Sequence, residues 1–188
     1  MIAPSTVRAI DIHVHAEEPC GCHADDGYDA LQDEMARYFH APWTHPPTLH
    51  ETAAAYREKN IAAVVFPVDA ERETGYRRYQ NEEVAQAASE HADILIPFGS
   101  IDPARGKAGA RAARRLVEDF GIRGFKFHPT MQGFFPNDRA AYPLYEAIEA
   151  AIRLAALPAK DQAAVTAWAG AIASSGVKGA FDASGRTP

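Results

Sequence analysis

The chain has few of the residues that would commit it to several common classes of protein. Only two cysteines, Cys20 and Cys22, occur in 188 residues. Two positions apart, they are too close for an ordinary unstrained disulfide, so reduced thiols are expected rather than a stapled secreted scaffold. No apolar run is long enough to span a bilayer, and the opening M-I-A-P-S-T-V-R has no signal-peptide core. The expected location is the cytoplasm, with no membrane partner. A net charge of −6 and the lack of any Lys/Arg block argue against nucleic acid as a partner. Also missing are a Gly-rich phosphate loop, a serine elbow and a CxxC redox pair.

What is present is the pattern of an ordinary globular domain. Apolar residues make up 47% and charged residues 23%, enough of each for one core under a solvated surface. Thr48-Leu-His-Glu51 fits a capping box opening a helix to about Lys59, with Asn60 as its left-handed stop. The continuous apolar run Ile61 to Phe66 reads as a strand covered on both faces. Asn81 is expected to cap a helix to about His91, followed by a strand from Ile94 to Ser100. Asp102-Pro103 reads as a cap with a first-turn proline, opening a helix to Phe120 with Gly121 just beyond. Gly124 to Pro129 is the fourth strand, and Asn137 or Asp138 opens a helix through Tyr145 and Ile148. Tyr28 to His40 and the Ala-rich stretch Ala163 to Ser174 also read as helical. Strands alternating with helices predict an α/β protein with a parallel sheet, as a barrel or a doubly wound layer.

The chemistry concentrates in Arg8 to His15, R-A-I-D-I-H-V-H. Ile10, Ile12 and Val14 alternate with Asp11, His13 and His15, so a strand here has one aliphatic face and one of acid and imidazoles. Such groups are costly to bury unpaired, and a divalent cation shared by His13 and His15 resolves that cost. Eight histidines would place about 0.3 such pairs by chance, so the spacing gains its meaning from the strand around it. Asp11 is either a partner for one ring or simply solvated. Lys126 and His128 alternate with Phe125 and Phe127 and share a face at the end of the fourth strand. There they either bind substrate or, respectively, snorkel and cap.

Other candidates are weaker. Cys20, Cys22 and His23 offer only a fragment of a separate zinc site. Asp102 suits a helix cap better than a catalytic acid. Arg72, Arg77 and Arg78 with Tyr76 and Tyr79 suit either an anionic substrate or a solvated surface. His40, His45 and His50 belong to no constellation.

D-I-H-V-H on the first strand, G-S-I-D-P ending the third and G-F-K-F-H-P on the fourth together resemble the amidohydrolase superfamily. The resemblance is closest to its branch of decarboxylases and hydrolases related to aminocarboxymuconate semialdehyde decarboxylase. F-P-V-D-A-E-R-E-T-G, K-F-H-P-T-M-Q-G-F-F-P-N-D and Y-P-L-Y-E are also similar to 4-hydroxyphenyl-β-ketoacyl-CoA hydrolases. Residues 8 to about 150 carry the resemblance. It implies a (β/α)8 TIM barrel with one divalent metal, usually zinc, at the C-terminal ends of the strands. It also implies that His13 and His15 are the first two ligands and that Lys126 and His128 serve the substrate. The implied reaction is hydrolysis or decarboxylation of a small carboxylate or acyl compound, aromatic acyl-CoA included.

The resemblance also implies a third histidine on a fifth strand and an aspartate on the eighth. After Glu149 the chain instead reads A-A-I-R-L-A-A-L-P, and no histidine follows His128. A closed barrel usually needs about 250 residues. The expectation is therefore an incomplete barrel of the first four to five βα units. Residues 1–150 would form its N-terminal part, and 151–188 an atypical Ala-rich tail that is not a separate domain. Such a half-barrel exposes strand edges and an apolar inner face, a liability for aggregation or for pairing as a homo-oligomer. The rival expectation is a catalytically inactive α/β fragment with at most weak metal binding.

Overall fold

The computed structural model describes residues 4–16 and 47–157, with Ile2, Glu34, residues 36–38, His40 and Gln162. Helix α1 (Leu49–Lys59) opens on the capping box. Thr48 Oγ1 accepts the Glu51 N–H at 3.2 Å, and Glu51 Oε2 accepts the Thr48 N–H at 2.9 Å. Asn60 ends it in the left-handed region at φ 52, and strand β2 (Ile61–Phe66) follows at once, buried along most of its length. Thr48→Ala should therefore lower stability by about 1 kcal/mol, read as a shift in urea midpoint at constant slope. A change within error would mean that the cap is redundant.

Strand β1 (Ala9–His15) pairs in parallel with β2, and β2 with β3 (Leu95–Pro97). A bridge between Gly99 and Phe125 carries the same parallel winding one strand further. The sheet order follows the chain order, β1-β2-β3. A barrel winds in this way, whereas a doubly wound sheet reverses at a switch point.

The remaining helices are α2 (Glu71–Thr74), α3 (Asn81–Ser89), α4 (Gly106–Phe120), α5 (Pro129–Gln132) and α6 (Tyr142–Ala155). Ala63 and Val65 of β2 pack with Leu49 and Ala53 of α1 and Val84 and Ala88 of α3. A second cluster joins Ile101, Leu116, Ile122 and Leu144, against which Phe125 and Phe127 pack. By alternation, Ala62, Val64 and Phe66 point to the opposite face, where the candidate site lies. The expected helices at 28–40 and 163–174 lie largely or wholly outside the described residues, although 36–38 are helical. No helix among the described residues is long and apolar enough to cross a membrane.

Several local expectations are corrected. Strand β3 stops at Pro97 rather than Ser100, because the Asn81 side chain takes both backbone groups of Ser100. Asn81 Oδ1 accepts the Ser100 N–H at 2.7 Å and Asn81 Nδ2 donates to the Ser100 carbonyl at 2.9 Å. Asn81 is therefore not the cap; Gln80 occupies that position, and Glu83 Oε2 accepts its N–H at 3.3 Å. The fourth strand reduces to the Gly99–Phe125 bridge, where Gly99 N–H meets Gly124 O at 2.9 Å and Lys126 N–H meets Gly99 O at 2.7 Å. Gly124 is required at this crossing, since a Cβ there would sit 2.4 Å from the Phe98 ring. Helix α4 begins at Gly106, after a 3-10 turn over Pro103–Arg105 that Asp102 caps through Ala104 N–H at 2.9 Å. Helix α6 runs without a break past residue 150 to Ala155.

Candidate functional site

Strand β1 does not hold the simple alternation of its sequence. Pairing steps from Asp11–Ala63 to Val14–Val65, so Ile12 and His13 together oppose Val64. One extra residue on one strand turns the following side chains over. Asp11 consequently lies on the helix side, where its Oδ2 accepts the Tyr56 hydroxyl of α1 at 2.7 Å. His13 and His15 lie on the other side, with ring centroids 5.4 and 5.2 Å from that of Phe66. The expected sharing of one face by Asp11 and the imidazoles is thus not formed. Asp11 Oδ1 instead accepts the His13 backbone N–H at 3.0 Å and fixes the bulge. That bond first, then the tyrosine hydroxyl, holds the Asp11 carboxyl below its ordinary range. Burial and the same carboxylate push the Tyr56 hydroxyl up to about 12.

The two imidazoles stack with planes 17° apart, and their Nε2 atoms stand 3.3 Å from each other. Two nitrogens bound at about 2.1 Å to one tetrahedral metal lie about 3.4 Å apart, so the spacing fits a shared cation. Lys126 Nζ stands 3.2 Å from His13 Nε2 and 5.1 Å from the centre of the Phe66 ring, where the ring face favours a cation. The ammonium, then burial and His15, lower the His13 pKa against the opposing pull of Asp11. A neutral imidazole keeps the lone pair that a metal needs.

The alternation expected around Lys126 is present. Phe125 and Phe127 enter the helix-side cluster, while Lys126 reaches His13 and His128 lines a cavity with His15. His128 Nδ1 accepts the Met131 N–H at 3.3 Å, so the neutral ring carries its proton on Nε2. The cavity, about 270 Å³, is bounded by His15, Phe66, Tyr76, Arg77, His128 and Met131 among others.

Other candidates fall elsewhere. Asp102 is a cap, as its sequence suggested, and its Oδ2 also takes Arg72 Nε at 2.7 Å. Arg78 donates to Glu71 at 2.8 Å at the cavity edge. His50 packs against His91 with ring centroids 5.1 Å apart, and His40 occupies an exposed turn. Cys20, Cys22, His23 and His45 lie outside the described residues. Among the described residues no three His, Cys, Asp or Glu side chains converge as a metal site. Two buried groups escaped notice in the sequence: Asp69, 2% exposed, and Gln132, fully buried. Asp69 lies three positions past the end of a buried strand, which is a usable signal; Gln132 has none.

A family model described as Amidohydrolase matches residues 10–157. No curated protein matches the sequence. Among solved structures, 5-carboxyvanillate decarboxylase from Novosphingobium aromaticivorans is similar in fold. One structure, of a single-substitution variant with manganese and 3-methoxy-4-hydroxy-5-nitrobenzoic acid, gives a TM-score of 0.52 at 15% identity. A second, also holding manganese and the same acid, gives 0.51 at 15% identity. Both alignments cover 78% of this chain but only 48% and 47% of the decarboxylase. The chain thus spans about half the length of these structures, and at this identity the likeness is one of fold. With the family match covering β1 through α6, the histidine pair at the end of β1 falls where it can be read in context: the chain belongs to the amidohydrolase family.

Proposed function

We propose that His13 and His15 hold a divalent metal, and that Lys126 and His128 bind and orient a small carboxylate or acyl substrate for metal-assisted decarboxylation or hydrolysis. The observation that carries this reading is the convergence of two Nε2 atoms 3.3 Å apart with an ammonium 3.2 Å from one of them. The metal, when bound, supplies a Lewis acid for a substrate oxygen and lowers the pKa of a bound water. Lys126 offers an anionic oxygen a charge-assisted hydrogen bond of the stronger kind. His128 offers the Nε2 proton that its bond from Met131 leaves available. Phe66 gives the cavity an apolar wall, and Arg77 places a cation on its rim. The solved decarboxylases hold manganese with a substituted benzoic acid, which supports a small aromatic carboxylate as substrate class.

Calorimetric titration with Mn2+ and with Zn2+, followed by benzoate, tests the reading. Lys126→Met should tighten metal binding on the order of tenfold, because a positive charge several ångströms from a divalent ion costs about 1–2 kcal/mol even in water. The same variant should lose benzoate binding to the metal-loaded protein. Benzoate bound equally well by Lys126→Met would remove Lys126 from substrate binding, and no metal binding by the unaltered chain would end the proposal.

A further inference from the structure

We infer that Gln132 is the positioning residue of this site: its buried amide joins the ends of three strands and thereby fixes which nitrogen His128 turns to the cavity. The inference rests on the reading of His128 given above. Gln132 is fully buried in α5 and uses both polar atoms of its side chain. Its Oε1 accepts the His128 backbone N–H at 2.7 Å. Its Nε2 donates to the carbonyl of Asp69 at 3.1 Å and to that of Ile101 at 3.4 Å. Asp69 lies beyond β2, Ile101 beyond β3, and His128 at the end of the fourth strand position. The set needs an acceptor on one side and two donors on the other, which an amide alone supplies. The backbone is held as well, since Arg72 Nη2 donates to the Gln132 carbonyl at 2.7 Å.

The consequence falls on the His128 ring. Its backbone stands at φ −127, ψ 83, outside both helix and strand, and there Nδ1 can accept the Met131 N–H. With the His128 N–H released from the Gln132 side chain, only the bond from the residue-132 N–H to the His128 carbonyl, 2.9 Å, still ties the His128 backbone to α5, and the angles that present Nδ1 to the Met131 N–H are no longer fixed from both sides. The ring would then exchange between its two neutral tautomers and offer the cavity a donor only part of the time.

Nitrogen NMR of the ring reports the tautomer directly. Protein labelled at histidine is measured without metal at a pH where His128 is neutral, with His128→Gln identifying the signals. The unaltered chain should show widely separated Nδ1 and Nε2 shifts, the mark of a proton fixed on Nε2. Gln132→Met, similar in shape but without polar atoms, should bring them together toward the average. Gln132→Glu, which keeps an acceptor for the His128 N–H, should preserve the separation while lowering the melting temperature. Averaged shifts in the unaltered chain, equal separation in Gln132→Met, or collapse in both variants would overturn the proposal. Failure of both variants to fold would also overturn it, in favour of a purely structural clasp. Because no metal is present, the result stands or falls apart from the proposed metal binding at His13 and His15.

Discussion

Asp69→Ala is expected to lower the stability of the chain by about 3 kcal/mol, the low end of the range for breaking a buried ion pair. The Asp69 side chain is 3% exposed and takes Arg105 in a forked contact, Nε at 2.8 Å and Nη2 at 3.2 Å. It also accepts the Asp102 N–H at 3.0 Å, so one carboxylate ties the end of β2 to the turn that leads into α4. The low end applies because the Arg105 side chain is 37% exposed and can recover water when its partner is gone. For a chain of this size the melting temperature should fall by roughly 6–12 °C. Asp69→Asn keeps an acceptor for the Asp102 N–H and should cost about half as much. A loss below about 1 kcal/mol for Asp69→Ala would mean that Arg105 and Asp102 N–H find other partners. Neither variant should alter the spacing of His13 and His15, which hang from β1 on the far side of Phe66.

The parts of this molecule legible in its sequence are those whose causes are local. Thr48 and Glu51 cap each other within one turn, Asn60 and Gly121 stop their helices in left-handed conformations, and Ile61–Phe66 is a strand by its own composition. The histidine pair is likewise local, because two positions along any strand return to one face. What the sequence did not disclose depends on distant partners. The Asp11 carboxylate that fixes the bulge in β1 is itself held on the helix side by Tyr56, 45 positions away. I-D-I-H-V-H reads as an unbroken alternation whether or not Asp11 is drawn to the helix side. Asn81 looks like a helix cap but serves Ser100, 19 positions away. Gln132 bonds to Asp69 across 63 positions, and nothing in T-M-Q-G marks it. The cavity follows the same rule: its histidines were nameable from the strand ends, whereas its polar support, Gln132 of α5, acts through segments that only the fold brings together.

The sharpest consequence of the histidine pair concerns stability with and without metal. At a metal concentration 100 times its dissociation constant, binding to the folded state alone adds about 2.7 kcal/mol. His13→Ala and His15→Ala should each weaken binding on the order of 100-fold, at least as much as removing a group that merely supports a ligand, and so erase most of that gain. Without metal, His13→Ala should change stability by no more than about 0.5 kcal/mol, the scale of exposed positions. Its ring is exposed, and in the absence of a cation it sits beside the Lys126 ammonium, which disfavours its protonated form. The two effects therefore separate cleanly in paired melting curves, taken with Mn2+ or Zn2+ and with chelator. A variant that melts like the unaltered chain in chelator but gains nothing from metal has lost a ligand and not a structural support. If both variants kept the full metal-dependent gain, the cation would lie elsewhere, and the 3.3 Å between the two Nε2 atoms would be only a hydrogen bond between stacked imidazoles.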